Sequence, residues 1–552
     1  MQKELFITSK TLFVPVWKCK QESLVHFKID NSLVYEFWIP LREKKSSEQP
    51  DYYVPLDFTK YFSLSNKQKI TMELVSSSVD CNSPVSIPDE TTLDFFTFDS
   101  SKNENNNFKK STGGNSEYIS QKQNINRPTI HFTPNTGWMN DPNGLVFYNG
   151  IYHMYFQYNP FNTKWQNMCW GHATSKDLLH WTQCKTVLYP DKHGMIFSGS
   201  GIVNDKALLG QKKDSLLFFY TAAGGFGNVL QSKGKLSTQR VAASNDEGKT
   251  LEKVECGVIP TIKKENRDPK VFYHEKSQSY ICVLWLEETT YCILRSDDLE
   301  NWKETQRFNF TGAWECPDLV ELNCVDENEC YVEKKWLFWS ADGFYLVGDF
   351  DGFTFTPANK DFSKHKNAYC NKLAYAAQTY SNTKGRNVSI PWLRTKNEGC
   401  NYCGTMGLPR EFSLVKTNDN EYSLVQKPVR EYLMQKKLCK EIAGEKLEFD
   451  LRKKCFEIEI CSEKFNLQIE KMKIDYTENK LFIDNEEIAF DMTRSKKIIH
   501  VFVDKNIIEV WNEKCTSIVY KEITDSSINN SSNLNISITS DKNISTKIYY
   551  IE

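Results

Sequence analysis

Three features of this 552-residue chain predict an all-β protein. Helical periodicity is scarce, short apolar runs bounded by turn residues recur along the chain, and one turn-like pattern repeats. The repeat is Ser175-Lys176-Asp177-Leu178-Leu179-His180-Trp181, echoed by Ser296-Asp297-Asp298-Leu299-Glu300-Asn301-Trp302 and more faintly by Ser244-Asn245-Asp246-Glu247-Gly248. The copies stand roughly 50 to 70 residues apart, near the size of a four-stranded propeller blade. About 300 residues at that period hold about five blades, so a five-bladed β-propeller is expected over residues 125–430, with a large sandwich as the alternative.

The flanking segments differ from this middle part. Residues 1–124 read as a β-rich accessory module, with runs such as Leu33-Val34-Tyr35-Glu36-Phe37-Trp38-Ile39, ending in an Asn/Ser/Lys-rich linker from Ser100 to about Asn124. Within the middle part, Tyr152-His153-Met154-Tyr155-Phe156, Leu216-Leu217-Phe218-Phe219-Tyr220 and Trp336-Leu337-Phe338-Trp339 are strand-like runs. From 431 to 552, Phe456-Glu457-Ile458-Glu459-Ile460 and Ile499-His500-Val501-Phe502-Val503-Asp504 alternate as half-buried antiparallel strands do, which predicts a C-terminal β-sandwich.

Composition narrows the function classes. Apolar residues at 40% and charged residues at 25% are ordinary for a folded soluble protein. A net charge of -2 gives no reason to expect nucleic acid or an anionic membrane as a partner. The 17 cysteines are odd in number and scattered, and a chain of this length does not need a disulfide scaffold. The amino-terminal residues lack the apolar stretch of a signal peptide, and no long apolar run follows, so a cytoplasmic location with reduced thiols is expected. Cys400-Asn401-Tyr402-Cys403 has metal-ligand spacing but no second pair, and a structural role is the better reading. No metal or organic cofactor is called for, and the sequence leaves the oligomeric state open.

Three acidic residues sit in specific local settings. Asp141 lies in Trp138-Met139-Asn140-Asp141-Pro142-Asn143-Gly144, a run that would also serve as a surface turn. Asp268 is flanked by Arg267 and Lys270, which are expected to hold it ionised. Glu315 stands between Trp314 and Cys316, an apolar shell expected to raise its pKa toward that of a general acid. Hydrolysis of a glycosidic bond uses two carboxyl groups, one ionised and one protonated. Inner strands of separate blades can bring such residues together on a propeller axis.

These three blocks, in this order, resemble the signature motifs of glycoside hydrolase family 32, the invertases and fructan hydrolases. The likeness continues through Trp170-Gly171-His172-Ala173, Phe197-Ser198-Gly199-Ser200, Tyr375-Ala376-Ala377-Gln378-Thr379 and Gly407-Leu408-Pro409-Arg410-Glu411. It spans about residues 130 to 550 and leaves the N-terminal module outside. The resemblance implies a five-bladed propeller followed by a β-sandwich. It further implies Asp141 as nucleophile, Glu315 as acid/base and Asp268 as transition-state stabiliser. Asn140, Gln157, Trp165, Phe197, Ser198 and Arg267 match positions lining the family's fructose pocket. Cys316 stands beside the acid, and Tyr375 and Trp392 are looser matches. Asn140 before the nucleophile resembles the hydrolytic members rather than the plant transferases. The expectation is a retaining β-fructofuranosidase that hydrolyses sucrose and short fructans. Exo-acting inulinase or levanase activity is the close alternative, and a non-catalytic fructan-binding propeller the remote one.

Overall fold

A computed structural model describes residues 2–18, 22–42, 48–58, 64–65, 67–75, 90–98, 108–110, 118–120, 127–227, 230–451, 455–490, 497–524 and 534–551. The protein is almost entirely β. Of the Ser100–Asn124 linker, only the paired strands Phe108–Lys110 and Tyr118–Ser120 fall inside the described residues.

Past residue 130 the chain forms successive antiparallel sheets. The first holds Gly137–Tyr148, Ile151–Asn159, Cys169–Ser175 and Thr182–Gln183 in order, with Tyr402–Cys403 added in parallel against the innermost strand. The second is Met195–Asn204 to Glu252–Ile259, and the third Arg267–His274 to Lys303–Asn309, each four-stranded. A ten-stranded sheet follows. It contains the run Asp318–Val325, Tyr331–Trp339, Phe344–Phe350, Phe355–Pro357, joined to strands 374–428 by a short parallel pairing of Cys324 with Leu414.

The innermost strands adjoin one another in chain order. Gly137–Tyr148 contacts Met195–Asn204, which contacts Arg267–His274, and Ala374–Thr379 returns to Gly137–Tyr148. Lys270 reaches Asp318 (3.0 Å) and the Thr379 carbonyl (2.7 Å), tying three of these strands through one buried ammonium. The ring closes where Ser381 donates to the Leu145 carbonyl and accepts from Phe147 N–H, both at 3.0 Å.

The repeated sequence pattern is the turn between third and fourth strands of a sheet. Ser175 Oγ and the amides of Leu179 and His180 donate to Asp177 Oδ1, Leu178 takes φ +65°, and Trp181 Nε1 donates back to the Leu178 carbonyl. Ser296, Asp298, Leu299 (φ +64°) and Trp302 repeat this bond for bond. The side chain replaces a backbone acceptor in a chain reversal that needs one left-handed residue.

After the short helix Arg430–Gln435, the C-terminal segment forms a second ten-stranded sheet in which Lys436–Leu451 and Leu534–Ile551 run antiparallel over most of their length. Its strands enclose an apolar cluster that includes Phe456, Ile458, Ile474, Val501 and Ile538. At the amino end, Gln2–Phe6, Lys69–Val75, Glu22–Ile29 and Ser32–Pro40 make a four-stranded sheet, and Thr11–Val16 pairs with Tyr52–Asp57. Its core is shared with the rest of the molecule, since Phe161, Cys169 and Tyr189 are buried in it.

Candidate active site

Four innermost strands carry a bulge; Asn140, Asp141, Phe197, Ser198 and Asp268 sit on three of them, while Glu315 and Cys316 precede the strand Asp318–Val325. Across the first sheet Met139 faces Tyr158 and Pro142 faces Phe156, so Asn140 and Asp141 stand where the ladder has one residue too many. The same irregularity falls at Phe197–Ser198, at Asp268–Pro269 and at Ala376–Ala377. A bulge bends the strand and re-aims its side chains. Proline follows two of these acids directly, and it suits a bulge because it has no N–H to give the ladder. Asp268 (φ +66°), Glu315 (φ +49°), Cys316 (φ +37°) and Ala376 (φ +51°) all adopt left-handed backbone, which is costly for residues with a Cβ and is found where a site demands it.

Two of the three carboxylates meet at the Cys316 thiol, and the third is held by Arg267 and Tyr375. Asp141 Oδ2 accepts from Ser198 Oγ at 2.6 Å and lies 3.7 Å from Cys316 Sγ. Asp141 Oδ1 accepts from Asn140 Nδ2 (3.1 Å), and Asn140 Oδ1 is held by Trp138 Nε1 (2.8 Å), which fixes the amide's orientation. Asp268 Oδ2 accepts from the Cys316 amide (3.1 Å) and lies 3.5 Å from its sulfur. Glu315 Oε1 accepts from Arg267 Nε (2.9 Å) and Nη2 (2.5 Å), while Glu315 Oε2 accepts from the Tyr375 hydroxyl (2.8 Å). Arg267 lies 3.9 Å over the Trp285 ring, which holds the guanidinium flat against the wall.

Two electrostatic expectations are corrected. Burial, followed by the Glu315 charge, pushes the Asp268 carboxyl up to about 7 against the pull of Arg267. Lys270 does not help, because its ammonium is spent on Asp318 and Thr379. The shell around Glu315 is not the indole and thiol of its sequence neighbours. It is a guanidinium and a phenol, and the Cys316 sulfur turns instead to Asp141 and Asp268. Burial also raises Asp141, with Glu315 adding to the shift and Ser198 opposing it. Burial and the adjoining carboxylates keep the Cys316 thiol protonated, so its single S–H stands within reach of either aspartate.

The other expected residues line the approach to these acids. Gln157 is buried opposite the Asn140–Asp141 bulge, and its Nε2 has no partner among the described residues. Trp392 packs edge-on to Trp138 (6.0 Å) and Tyr375 (6.3 Å). Phe197 meets Trp165 at 5.9 Å, and Trp165 is 42% exposed, an aromatic rim open to a ligand. Three further residues, Phe226, Trp285 and Asp342, were not singled out from sequence. Phe226 packs on Phe197 (5.3 Å), and the exposed Trp314 meets Trp285 at 5.2 Å. Asp342 lies near Glu315 and Arg394, its pKa raised by burial. Phe226 had a faint signal, a lone aromatic in Gly224-Gly225-Phe226-Gly227, and Asp342 had none. Leu408-Pro409-Arg410 faces away from the site, with Leu408 N–H and Arg410 both bound to Glu509. Cys403 donates to the Thr395 carbonyl at 3.3 Å, and all fifteen cysteines among the described residues are free thiols.

Known proteins are similar to this chain in sequence and fold. The model of the glycosyl hydrolases family 32 N-terminal domain matches residues 131–428, more than half of the chain. A levanase of Bacillus subtilis is 36% identical over 333 residues, 55% of this chain and 47% of the levanase. An extracellular exo-inulinase of Aspergillus niger is 34% identical over 351 residues, 55% of this chain and 64% of the inulinase. The chain thus spans about half to under two thirds of these curated relatives. Among solved structures, exo-inulinase from Aspergillus awamori superposes with a TM-score of 0.66 at 25% identity, covering 78% of this chain and 99% of that one. A fructofuranosidase from Schwanniomyces occidentalis complexed with fructosylnystose gives the same score and identity, with 78% and 98% covered.

Proposed function

The chain belongs to glycosyl hydrolase family 32, and on that premise we propose that it is a retaining β-fructofuranosidase releasing fructose from sucrose and short fructans. The observation that carries this reading is the convergence of Asp141, Asp268 and Glu315, with Cys316 joining the two aspartates and Arg267 gripping the glutamate. We read the ring of sheets as five propeller blades, a scaffold that can bring residues of the inner strands, and of the turn that leads into Asp318–Val325, to a common axis.

In this proposal Asp141 attacks the anomeric carbon of the fructosyl unit while Glu315 gives its proton to the departing glycosidic oxygen. The C–O bond to the leaving sugar breaks as a covalent fructosyl ester forms. Glu315, now ionised, takes a proton from water, whose oxygen then displaces Asp141 and frees fructose with net retention. Ser198 and Asn140 hold the two Asp141 oxygens apart and aim the carboxylate. Asp268 bonds fructose hydroxyls, and those bonds tighten as positive charge develops on the ring. Tyr375 and Arg267 keep Glu315 in position between the two half-reactions.

The names of the levanase and exo-inulinase relatives favour a second reading, an exo-acting hydrolase of fructan polymers. It uses the same residues and differs only in what binds beyond the scissile bond. The deciding measurement is fructose release from sucrose, raffinose, inulin and levan at matched fructosyl concentration. Highest kcat/KM on sucrose supports the invertase reading, and highest on inulin or levan replaces it with the second. No sugar released from any of the four would sink both.

A further inference from the structure

We propose that the N-terminal β-module is a positioning element of the catalytic pocket, holding the loop that presents Trp165 and the loop that presents Phe226. The inference rests on the fructosidase reading for its kinetic consequence but not for its structural content.

The rim aromatics are a linked set: Trp165 meets Phe197 at 5.9 Å and Phe197 meets Phe226 at 5.3 Å, one residue from Ser198 and its bond to Asp141. Both outer members sit on loops outside any strand of their own sheets. Residues 160–168 lie between the second and third strands of the first sheet, and the described residues 224–227 and 230–236 lie between the corresponding strands of the second. The two loops touch where Gln166 Nε2 donates to the Gly227 carbonyl at 3.2 Å. Such loops lose considerable freedom when fixed, so a half-exposed Trp on one of them needs support from behind.

That support comes from the strands Glu22–Ile29 and Ser32–Pro40. Asn167, in left-handed backbone (φ +48°), uses its amide as a double connector. Its Oδ1 accepts from Trp38 N–H (2.8 Å) and its Nδ2 donates to the Trp38 carbonyl (2.7 Å), completing an edge that the strand leaves open. Phe161 stacks on Phe37 at 4.2 Å, and Asn162 Nδ2 donates to Glu22 Oε1 at 2.5 Å. On the second loop, Gln231 N–H donates to Glu36 Oε1 at 2.8 Å. Strand residues of one module thus grip both loops. Behind the rim, Ile196 N–H donates to the Met168 carbonyl (2.9 Å), and Met168 and Met195 pack against Trp138, Phe197 and Phe226. The family model begins at residue 131, so this grip is an addition to the shared catalytic unit.

The test is a double-mutant cycle between Phe37→Ala and Trp165→Ala, with Glu36→Ala as a milder second variant should Phe37→Ala fold poorly. Phe37→Ala is expected to lower kcat/KM on sucrose and inulin on the order of tenfold, mostly through KM, and to have little effect once Trp165 is already Ala. An equal loss in both backgrounds would assign Phe37 to general stability and overturn the inference. Amide hydrogen exchange of the full chain gives the independent readout. Residues 160–168, 224–227 or 230–236 should exchange faster in Phe37→Ala and Glu36→Ala, while the central strands stay protected. Unchanged exchange in both loops overturns the inference even if activity falls. Faster exchange in a protein that cleaves no fructoside would leave the grip standing and remove the fructosidase reading instead.

Discussion

At the scale of single residues, the site is a contest between three clustered carboxylates, of which Asp268 is the most buried, and one guanidinium. Two like charges about 4 Å apart repel by about 4 kcal/mol at an effective dielectric near 20, and burial adds to that cost. Burial first, and then the Glu315 charge, carry Asp268 up to about 7 against the pull of Arg267, although an arginine precedes it in sequence. The geometry also separates the roles of the two acids taken as nucleophile and proton donor. Asp141 is held by a hydroxyl and an amide, neutral donors that fix its direction, whereas Glu315 is held by Arg267 and Tyr375. Asp141→Ala should therefore abolish fructose release by several powers of ten while thermal unfolding stays close to the parent. Activity within about tenfold of the parent would remove Asp141 from the nucleophile's role. Tyr375→Phe deletes one hydrogen bond to a charged group, worth about 1.5–3 kcal/mol, so kcat should fall roughly ten- to a hundredfold with a smaller change in KM. An unchanged kcat would mean that Tyr375 only fills space.

At the scale of elements, the deciding device is the bulge. A regular strand alternates its side chains between faces, so neighbours such as Asn140 and Asp141 could not both address one pocket. One surplus residue per inner strand changes that, and it recurs at Phe197–Ser198, Asp268–Pro269 and Ala376–Ala377. Gly199 follows the second bulge where the backbones run so close that an added Cβ would stand 1.8 Å from the Phe219 carbonyl oxygen. Gly199→Ala should cost about 3 kcal/mol in urea unfolding and lower activity together with stability, because relief of the clash must move Ser198. A folded Gly199→Ala enzyme of parental stability would contradict the close approach. These elements also mark what sequence can carry. The third-to-fourth-strand turn was visible because it needs an Asp at a fixed offset and a left-handed residue after it, as Asp177-Leu178 and Asp298-Leu299 both supply. The acids were visible through their prolines and aromatic neighbours. The bulges themselves were not, since a register shift is a property of two strands that are distant in sequence. For the same reason Lys270 was placed beside Asp268, where its sequence position suggests, and not on Asp318 and Thr379, where the sheets bring it.

At the scale of the whole molecule, one buried ionic knot joins the start of the catalytic unit to the C-terminal sheet. His131 Nδ1 lies 2.9 Å from Asp504 Oδ2 and its Nε2 lies 3.1 Å from Glu509 Oε1, and none of the three side chains is exposed. Asp504 also accepts the amides of Thr129, Ile130 and His131, while Glu509 accepts from Leu408 N–H and Arg410. Two cations thus face two carboxylates, so the charges cancel inside the interface and almost every lone pair is used. Burial alone would lower the His131 pKa, but the two carboxylates win and raise it to about 9. Asp504 and Glu509 are both depressed, burial opposing the shift and His131 and Arg410 driving it. The signs then fix the pH window. The raised histidine contributes stability that is complete below its unfolded value near 6.5 and is lost as pH rises through about 9. The depressed carboxylates contribute stability present above about pH 4 that is lost on further acidification. The urea midpoint should accordingly be highest between about pH 5 and 6, decline from about pH 6.5 through about 9 and flatten beyond, with a His131 share on the order of 3 kcal/mol. His131→Gln should be less stable by about 3 kcal/mol at pH 7, since it leaves two buried carboxylates facing Arg410 alone. It should also lack most of the alkaline decline. A decline of the same size in His131→Gln would assign the alkaline loss to the buried tyrosines and thiols and leave the knot without a role in it.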